Sequence, residues 1–193
     1  MPLTIADITR VGHVTRWHSV RTLREQTLAE HLFLVLIVAN RLAKDIMAAD
    51  LSDSDRLKMV EYCAWHDTPE LLMGDLPSPL KRKIEALTGK DNPLEDIERE
   101  LAPWLYEHKA LLSEEVLIIV KIADLIDALV FISHEGLGKH AQVVKEGLAE
   151  CLTAKINEAK EKFPAYSWET ASQLCDEMLN ADAGKISFEQ EGL

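Results

Sequence analysis

The chain has 193 residues, of which 47% are hydrophobic and 28% are charged, the ordinary balance of a globular protein. This length allows a substantial core without disulfides and fits one domain over residues 1–193. A formal net charge of −12 opposes non-specific binding to nucleic acid polymers and to anionic membranes. The composition therefore excludes a disordered chain, and we expect no polymer or membrane partner.

The sequence also indicates the cellular compartment in which we expect the protein. No apolar run is long enough to cross a membrane, and the first twenty residues lack the continuous apolar stretch of a secretory signal. The cysteines, Cys63, Cys151 and Cys175, are odd in number and show no C-x-x-C spacing. We therefore expect a cytoplasmic protein whose cysteines are small core residues.

Apolar residues recur at helical spacing along almost the whole chain, and no stretch shows the alternating pattern of a strand. We predict an all-α fold, a single bundle of about seven to eight helices. Thr27 and Glu30 match a capping box at one helix start. The predicted helices span residues 3–13, 27–49, 54–73, 79–87, 93–109, 113–134, 140–163 and 167–180. Residues 181–193 are expected to form a frayed tail.

Histidine and aspartate interrupt the apolar stripes of three predicted helices. His31 lies on the inward side of the helix from Thr27, among residues expected in the core. Asp67 extends a stripe of Leu57, Val60, Ala64 and Leu71, and Asp124 extends one of Leu117, Val120, Ala128 and Phe131. Burying a carboxylate costs several kcal/mol unless a cation or strong hydrogen bonds compensate.

Each interruption also has a simpler explanation. His31 alone fits a hydrogen-bonded core histidine, and His66 with Glu70 fits a partly exposed helical pair. Lys121 precedes Asp124 by one turn, as in a buried ion pair. Together, however, two histidines and two aspartates from three helices supply the mixed nitrogen and oxygen ligands that suit a divalent metal. We therefore predict that the bundle surrounds a metal site.

The order and spacing of these residues resemble the HD-domain phosphohydrolases. The similarity extends to the YfbR-like 5′-deoxynucleotidases and to the related bacteriophage dATP triphosphohydrolases, and it covers about residues 8–135. The segments that carry it are Arg16-Trp17, Ala29-Glu30-His31, the run Trp65 to Glu70, the run Gly74 to Lys81, and the run Lys121 to Asp124. Residues 140–180 add two helices and no motif.

The resemblance implies one divalent cation per subunit, held by His31, His66, Asp67 and Asp124. Cobalt, manganese, zinc and nickel are all compatible with these ligands. Glu70, one predicted helical turn after His66, matches the carboxylate that serves the family as general base or orients the attacking water.

The resemblance also implies a nucleotide pocket. Arg16 and Trp17 match a pair beside the sugar and base, where the indole would exclude a ribose hydroxyl at C2′, and Ser19 would line the base pocket. Asp75 matches the residue that holds the 3′-hydroxyl, although as a turn residue it could instead cap the next helix. Trp17 could likewise be only a core anchor.

Lys81 and Lys121 match positions that reach phosphate oxygens, which supplies locally the positive charge that the whole chain lacks. The motifs are shared by enzymes that remove one phosphate and by enzymes that remove three. Residues 12–14 look more like the phage enzymes, so we predict a dATP triphosphohydrolase, with adenine favoured by analogy.

Other functions stay open at this point. A 5′-deoxynucleotidase acting on deoxynucleoside monophosphates is the first alternative, and an HD-type hydrolase of signalling nucleotides is the second. A non-enzymatic partner-binding bundle and a di-iron carboxylate bundle are further alternatives, the latter disfavoured because paired Glu-x-x-His motifs are missing. By analogy with other small nucleotide-binding helical domains, we also expect a homo-oligomer.

Overall fold

The computed structural model describes residues 2–89 and 91–180, and throughout this part of the chain the regular elements are helices, as predicted. Single-turn 3-10 helices lie at Val11–His13 and Ala48–Asp50. The α-helices are α1 (Ile5–Ile8), α2 (Leu28–Met47), α3 (Asp53–Trp65), α4 (Glu70–Met73), α5 (Ser78–Thr88), α6 (Pro93–Leu101), α7 (Pro103–Ala110), α8 (Glu114–Glu135), α9 (Gly138–Lys162) and α10 (Glu169–Asn180).

Helix α8 is the centre of the bundle and packs against α2, α9 and α10. It is apolar almost all round, as a helix covered on several sides must be. Ile119 and Ile122 are fully buried in α8, facing a core that includes Leu42 of α2 and Trp168. Each such side chain contributes about 1.5–3 kcal/mol through removal from water. The helices that carry the candidate site are therefore held by the main core.

Helix α2 matches its prediction closely. Its predicted inward stripe is buried throughout, including Leu28, Val35 and Leu42. The Thr27 side chain accepts a hydrogen bond from the Glu30 amide and caps the helix. The Glu30 carboxylate does not return this bond as a capping box would, because both of its oxygens bind Arg24, at 2.7 and 2.9 Å.

The predicted helix over 54–73 is wrong in two respects. The chain leaves the helix after Trp65 and forms consecutive tight turns before α4, because the pyrrolidine of Pro69 cannot continue the α-helical hydrogen bonding. The predicted stripe is also rotated: Leu57 is 59% exposed, whereas Met59 and Cys63 are fully buried. Glu70 thus begins a new helix.

Two other predicted helices are divided. The one predicted over 3–13 consists of α1 and a separate 3-10 turn. The helix predicted over 93–109 breaks at Ala102 because Pro103 follows, and α7 begins at Pro103. The extra breaks account for the larger number of helices in the described ranges.

The cysteine prediction holds at Cys63 and Cys175, which are buried and free, but it is wrong at Cys151, which is exposed. Among the described helices, none combines the length and apolar character needed to cross a membrane. The predicted tail over 181–193 lies outside the described residues.

Candidate active site

The structure brings the four predicted metal ligands together. Single ligand atoms of His31, His66 and Asp67 all lie within 4.8 Å of one another. Asp67 Oδ2 lies 3.3 Å from His31 Nε2 and 3.6 Å from His66 Nε2. Asp124 Oδ1 lies 3.6 Å from His31 Nε2 but does not belong to this mutually close group of three. His31 therefore lies beside each of the other three side chains and joins them in one cluster.

Three elements supply these ligands. His31 belongs to the first turn of α2 and is fully buried. His66 and Asp67 lie in the turns between α3 and α4, where the broken helix turns both side chains toward α2. Asp124 comes from the middle of α8, with its side chain 20% exposed. The packing of α2 on both α3 and α8 sets the spacing of the cluster.

Both histidine rings leave Nε2 available to a cation. His66 Nδ1 lies 2.9 Å from the Cys63 carbonyl oxygen, which can only accept, so Nδ1 carries the proton. His31 Nδ1 lies 2.6 Å from Asp127 Oδ2, an arrangement that likewise favours a proton on Nδ1. Neither Nε2 atom has a hydrogen-bond partner within the described part of the chain, although both are buried. Unpaired buried nitrogens facing a carboxylate fit a metal ion.

The electrostatics of the cluster also favour a cation. Against the effect of burial, His66 and His31 hold the pKa of Asp67 well below its usual range. Against the same effect, Lys121 and His31 lower the pKa of Asp124 to about 2. Both aspartates are therefore ionised at neutral pH, and against burial and Arg16 they and Asp127 raise the pKa of His31 to about 9. A divalent cation would displace the proton from His31 Nε2 and neutralise the two carboxylates in its place.

Glu70 lies beside the cluster as a buried carboxylate with one oxygen held and one free. Its Oε1 accepts a hydrogen bond from Lys81 Nζ at 2.6 Å. Its Oε2 is buried without a hydrogen-bond partner among residues 2–89 and 91–180. Burial and the charge of Asp67 raise the pKa of Glu70 to about 8, despite Lys81. Only the ionised form of Glu70 can take a proton from water, and the fraction of that form grows as the pH rises toward 8.

A hydrogen bond joins two segments of the predicted nucleotide pocket, the one around Trp17 and the one around Asp75. The backbone amide of Trp17 donates to Asp75 Oδ2 at 3.2 Å, so Asp75 binds this segment and does not cap α5. Trp17 has a φ of 65°, a left-handed conformation that is unusual for a bulky residue. Its ring stacks on Phe131, with centroids 6.1 Å apart, and the Arg16 guanidinium carbon lies 5.4 Å from its centroid.

The remaining predicted residues differ in how closely they are tied to the cluster. Lys121 Nζ binds Asp124 Oδ2 at 2.6 Å, so the ion pair given as the simpler explanation forms, but it is not buried, because the Lys121 side chain is 56% exposed. Asp124 Oδ1 faces His31. Ser19 is exposed two residues after Trp17, and its role in base recognition stays a prediction.

Sequence reasoning missed two buried polar residues beside the metal ligands. Gln26 is fully buried and Asp127 is 3% exposed. The Gln26 amide donates to Asp127 Oδ2 at 3.0 Å, and Asp127 in turn binds His31. Asp127 was detectable as a second carboxylate within the apolar helix α8, one turn after Asp124. Gln26 precedes its helix and has no periodic signal.

Comparison with known proteins agrees with this geometry. A family model described as "5′-deoxynucleotidase YfbR-like" matches residues 4–146. The chain belongs to the YfbR-like 5′-deoxynucleotidase family. Within this family, the chain is 33% identical over 188 residues to the dATP triphosphohydrolase of Acinetobacter phage SH-Ab 15497, a match that covers 92% of both chains. It is 31% identical over 166 residues to the 5′-deoxynucleotidase of Erwinia tasmaniensis, covering 78% of this chain and 77% of that one.

A solved structure confirms the fold of this YfbR-like chain. The HD phosphohydrolase DatZ of cyanophage S-2L, described as bound to dA and one catalytic Zn²⁺ ion, superimposes with a TM-score of 0.74. The match covers 92% of this chain and 99% of DatZ at 24% sequence identity. The predicted all-α HD-domain architecture is therefore correct.

Proposed function

We propose that this protein is a divalent-metal-dependent hydrolase of 2′-deoxynucleotides that converts dATP and water into deoxyadenosine and triphosphate. The observation that carries the proposal is the convergence of two buried, unpartnered histidine nitrogens and two ionised aspartates beside Glu70. Its similarity over nearly the whole chain to a phage dATP triphosphohydrolase supports the choice of substrate.

His31, His66, Asp67 and Asp124 would hold one divalent cation per subunit, and their mixed donors suit cobalt, manganese, zinc or nickel. The catalytic Zn²⁺ of DatZ supports a cation in the same fold. When bound, such an ion polarises a phosphoryl oxygen and lowers the pKa of water.

Glu70 receives the proton of the attacking water in this proposal. Its free Oε2 is the oxygen available for that proton, because Lys81 occupies Oε1. Lys81 is only half-buried, so its ammonium can also reach a phosphate oxygen, and Lys121 offers a second cation at the edge of the cluster. These two lysines provide the local positive charge in a chain of net charge −12.

The sugar is selected by the segment around Trp17. The indole, held against Phe131, closes the space beside C2′, and Arg16 lies between this ring and His31. Asp75 has one oxygen committed to the Trp17 amide, and its other oxygen would accept a hydrogen bond from the sugar 3′-hydroxyl. Ser19 would contact the base.

The second candidate is the 5′-deoxynucleotidase activity for which the matching family and the Erwinia relative are named. Both reactions break the same bond, between the 5′-oxygen and the α-phosphorus, so one catalytic group set serves either. They differ in whether orthophosphate or triphosphate leaves. The inorganic product therefore distinguishes them.

We also propose self-association in the cytoplasm. Phe33 and Ile37, one turn apart on α2, are 61% and 46% exposed, which supports contact with another copy. Phage and bacterial relatives support the location. Sedimentation of the purified chain as a monomer only would contradict the oligomer.

The proposed function is tested by metal-free protein reloaded with one cation at a time. Deoxynucleoside mono-, di- and triphosphates should be hydrolysed only after reloading, and the matched ribonucleotides much more slowly. Equal turnover of ribonucleotides and deoxynucleotides, or full activity in excess chelator, would contradict the proposal.

A further inference from the structure

A continuous line of buried hydrogen bonds connects the proposed sugar pocket with the metal ligands. Trp17 Nε1 donates to Gln26 Oε1 at 2.7 Å. Gln26 Nε2 donates to Asp127 Oδ2 at 3.0 Å, and the same oxygen lies 2.6 Å from His31 Nδ1. Gln26 and His31 are fully buried, and Asp127 is nearly so. Two residues outside the predicted site thus link Trp17 to His31.

The chemistry of the two ends fixes the orientation of the middle. An indole nitrogen can only donate, and a carboxylate can only accept. The Gln26 amide must therefore turn its oxygen toward Trp17 and its nitrogen toward Asp127, as observed. This orientation presents Asp127 as the acceptor for His31 Nδ1–H and keeps His31 Nε2 toward the metal cluster.

Arg16 completes the environment of this line. Its Nη1 lies 3.4 Å from Asp127 Oδ2 and 3.3 Å from Gln26 Oε1, and it also contacts His31 Nδ1. Because a guanidinium only donates, a proton on His31 Nδ1 is directed to Asp127 and not to Arg16. The guanidinium compensates the buried Asp127 charge. Because these groups are shielded from water, a lost hydrogen bond is not replaced by solvent, and a change at one position reorients its neighbours.

We propose that Gln26 and Asp127 are positioning residues that fix the His31 ring for the cation and the Trp17 indole for the sugar, and thereby couple metal affinity to deoxyribose selectivity. The effect on deoxyribose selectivity rests on the proposed function, whereas the effect on metal affinity depends only on the ligand cluster. Gln26 and Asp127 thus position both the metal ligand His31 and the sugar-contacting Trp17.

An exchange of the two side-chain types tests this directly. Gln26→Glu places two carboxylates against each other, and Asp127→Asn places an amide N–H against a donor, so each single change breaks the line. The double variant Q26E/D127N restores it: the new carboxylate accepts from Trp17 and from the new amide, whose oxygen accepts from His31. The double variant also keeps the net charge.

Mn²⁺ titrated calorimetrically into metal-free protein gives the first readout. Asp127→Asn should weaken Mn²⁺ binding about 10- to 100-fold, the usual effect of losing a group that orients a ligand, and Gln26→Glu should weaken it in the same direction. The double variant should bind more tightly than either single variant. Single variants that bind Mn²⁺ like the wild type, or a double variant no better than the weaker single one, would overturn the inference.

The ratio of kcat/KM for dATP over ATP gives the second readout. Gln26→Met leaves Trp17 Nε1 without its acceptor and should lower this ratio about three- to tenfold, the value of one hydrogen bond, whereas the double variant Q26E/D127N keeps an acceptor there and should stay near the wild-type ratio. A merely structural role would reduce both substrates equally. An unchanged ratio would overturn the coupling to the sugar.

Controls separate folding from positioning. The thermal midpoint of each metal-free variant reports folding, and the exposed Gln142→Glu and Asp176→Asn supply the same chemical changes away from the line. If Gln26→Glu does not fold, Gln26→Met removes both hydrogen bonds without new charge and should weaken Mn²⁺ binding, with no rescue by Asp127→Asn. If the double variant recovers Mn²⁺ binding while the wild-type protein is inactive on every deoxynucleotide, the proposed function is refuted. The positioning of the metal ligands by Gln26 and Asp127 then still stands.

Discussion

Lys81 Nζ lies 2.6 Å from Glu70 Oε1, while Glu70 Oε2 is buried and lacks a hydrogen-bond partner in the described ranges. Lys81 therefore binds one oxygen of the Glu70 carboxylate and leaves the other oxygen available to water. Glu70→Gln keeps the shape and removes the base, so it should lower kcat about 10²–10⁴-fold while metal content stays at the wild-type level. Turnover near the wild-type rate would show that Glu70 does not accept the proton.

Replacing a metal ligand should remove the bound metal as well as the activity, unlike Glu70→Gln. Asp67→Ala or His66→Ala should abolish both activity and bound metal, measured by elemental analysis after dialysis. The wild type should gain thermal stability as cation is added, by about 2.7 kcal/mol at a hundredfold excess over the dissociation constant, and these variants should not. The exposed His140→Ala is the matched control. A full metal complement in Asp67→Ala would remove Asp67 from the ligand set.

Trp17 should determine the preference for deoxyribose. Trp17→Ala opens the space beside C2′ and removes the stacking on Phe131, so relative ATP turnover should rise while dATP turnover falls. Steady-state kinetics on the two nucleotides measure the ratio. Tyr106→Ala, at a partly buried aromatic residue of α7 whose ring packs against Arg99, is the control for a general loss of aromatic packing. If the ratio stays constant, another residue excludes the 2′-hydroxyl.

Lys81 should affect the longer substrate more. Lys81→Ala frees Glu70 and therefore slows every substrate, but dATP also loses a cationic contact to its phosphates. We expect kcat/KM to fall further for dATP than for dAMP when both are hydrolysed by the same preparation. Equal losses would limit Lys81 to holding Glu70.

Two of the proposed metal ligands stand out in the helical pattern because α2 and α8 are long and uninterrupted. His31 lies in a stripe that is buried as predicted, and Asp124 interrupts the most apolar helix. In both helices the period of 3.6 residues fixes the side-chain direction, so a polar residue on the apolar face is visible in the sequence.

The other half of the site was predicted for a partly mistaken reason. The stripe that placed Asp67 in the core began at Leu57, which is exposed, and Pro69 breaks the helix assumed to carry Glu70. The family motif still groups His66, Asp67 and Glu70 because it depends on residue order and not on helix geometry. Helical periodicity fails in this segment because tight turns set the side-chain directions.

The link between Gln26 and Asp127 shows what reasoning on one helix at a time cannot supply. The two residues lie 101 positions apart in the chain, and only the packing of the segment before α2 against α8 brings them together. The hydrogen bonds among Trp17, Gln26 and Asp127 arise from tertiary structure, so no spacing in the sequence encodes them. Such supporting groups require coordinates.

Metal-dependent hydrolysis of dATP between the 5′-oxygen and the α-phosphorus is tested most sharply by following its products. Metal-loaded protein is incubated with dATP, the nucleoside product is quantified by chromatography, and the inorganic product is identified by phosphorus NMR. We expect deoxyadenosine and inorganic triphosphate in equal amounts, with neither formed by Asp67→Ala. Orthophosphate released from dAMP while dATP stays intact would contradict the triphosphohydrolase, and no hydrolysis of any deoxynucleotide by the metal-loaded wild type would contradict the enzyme itself.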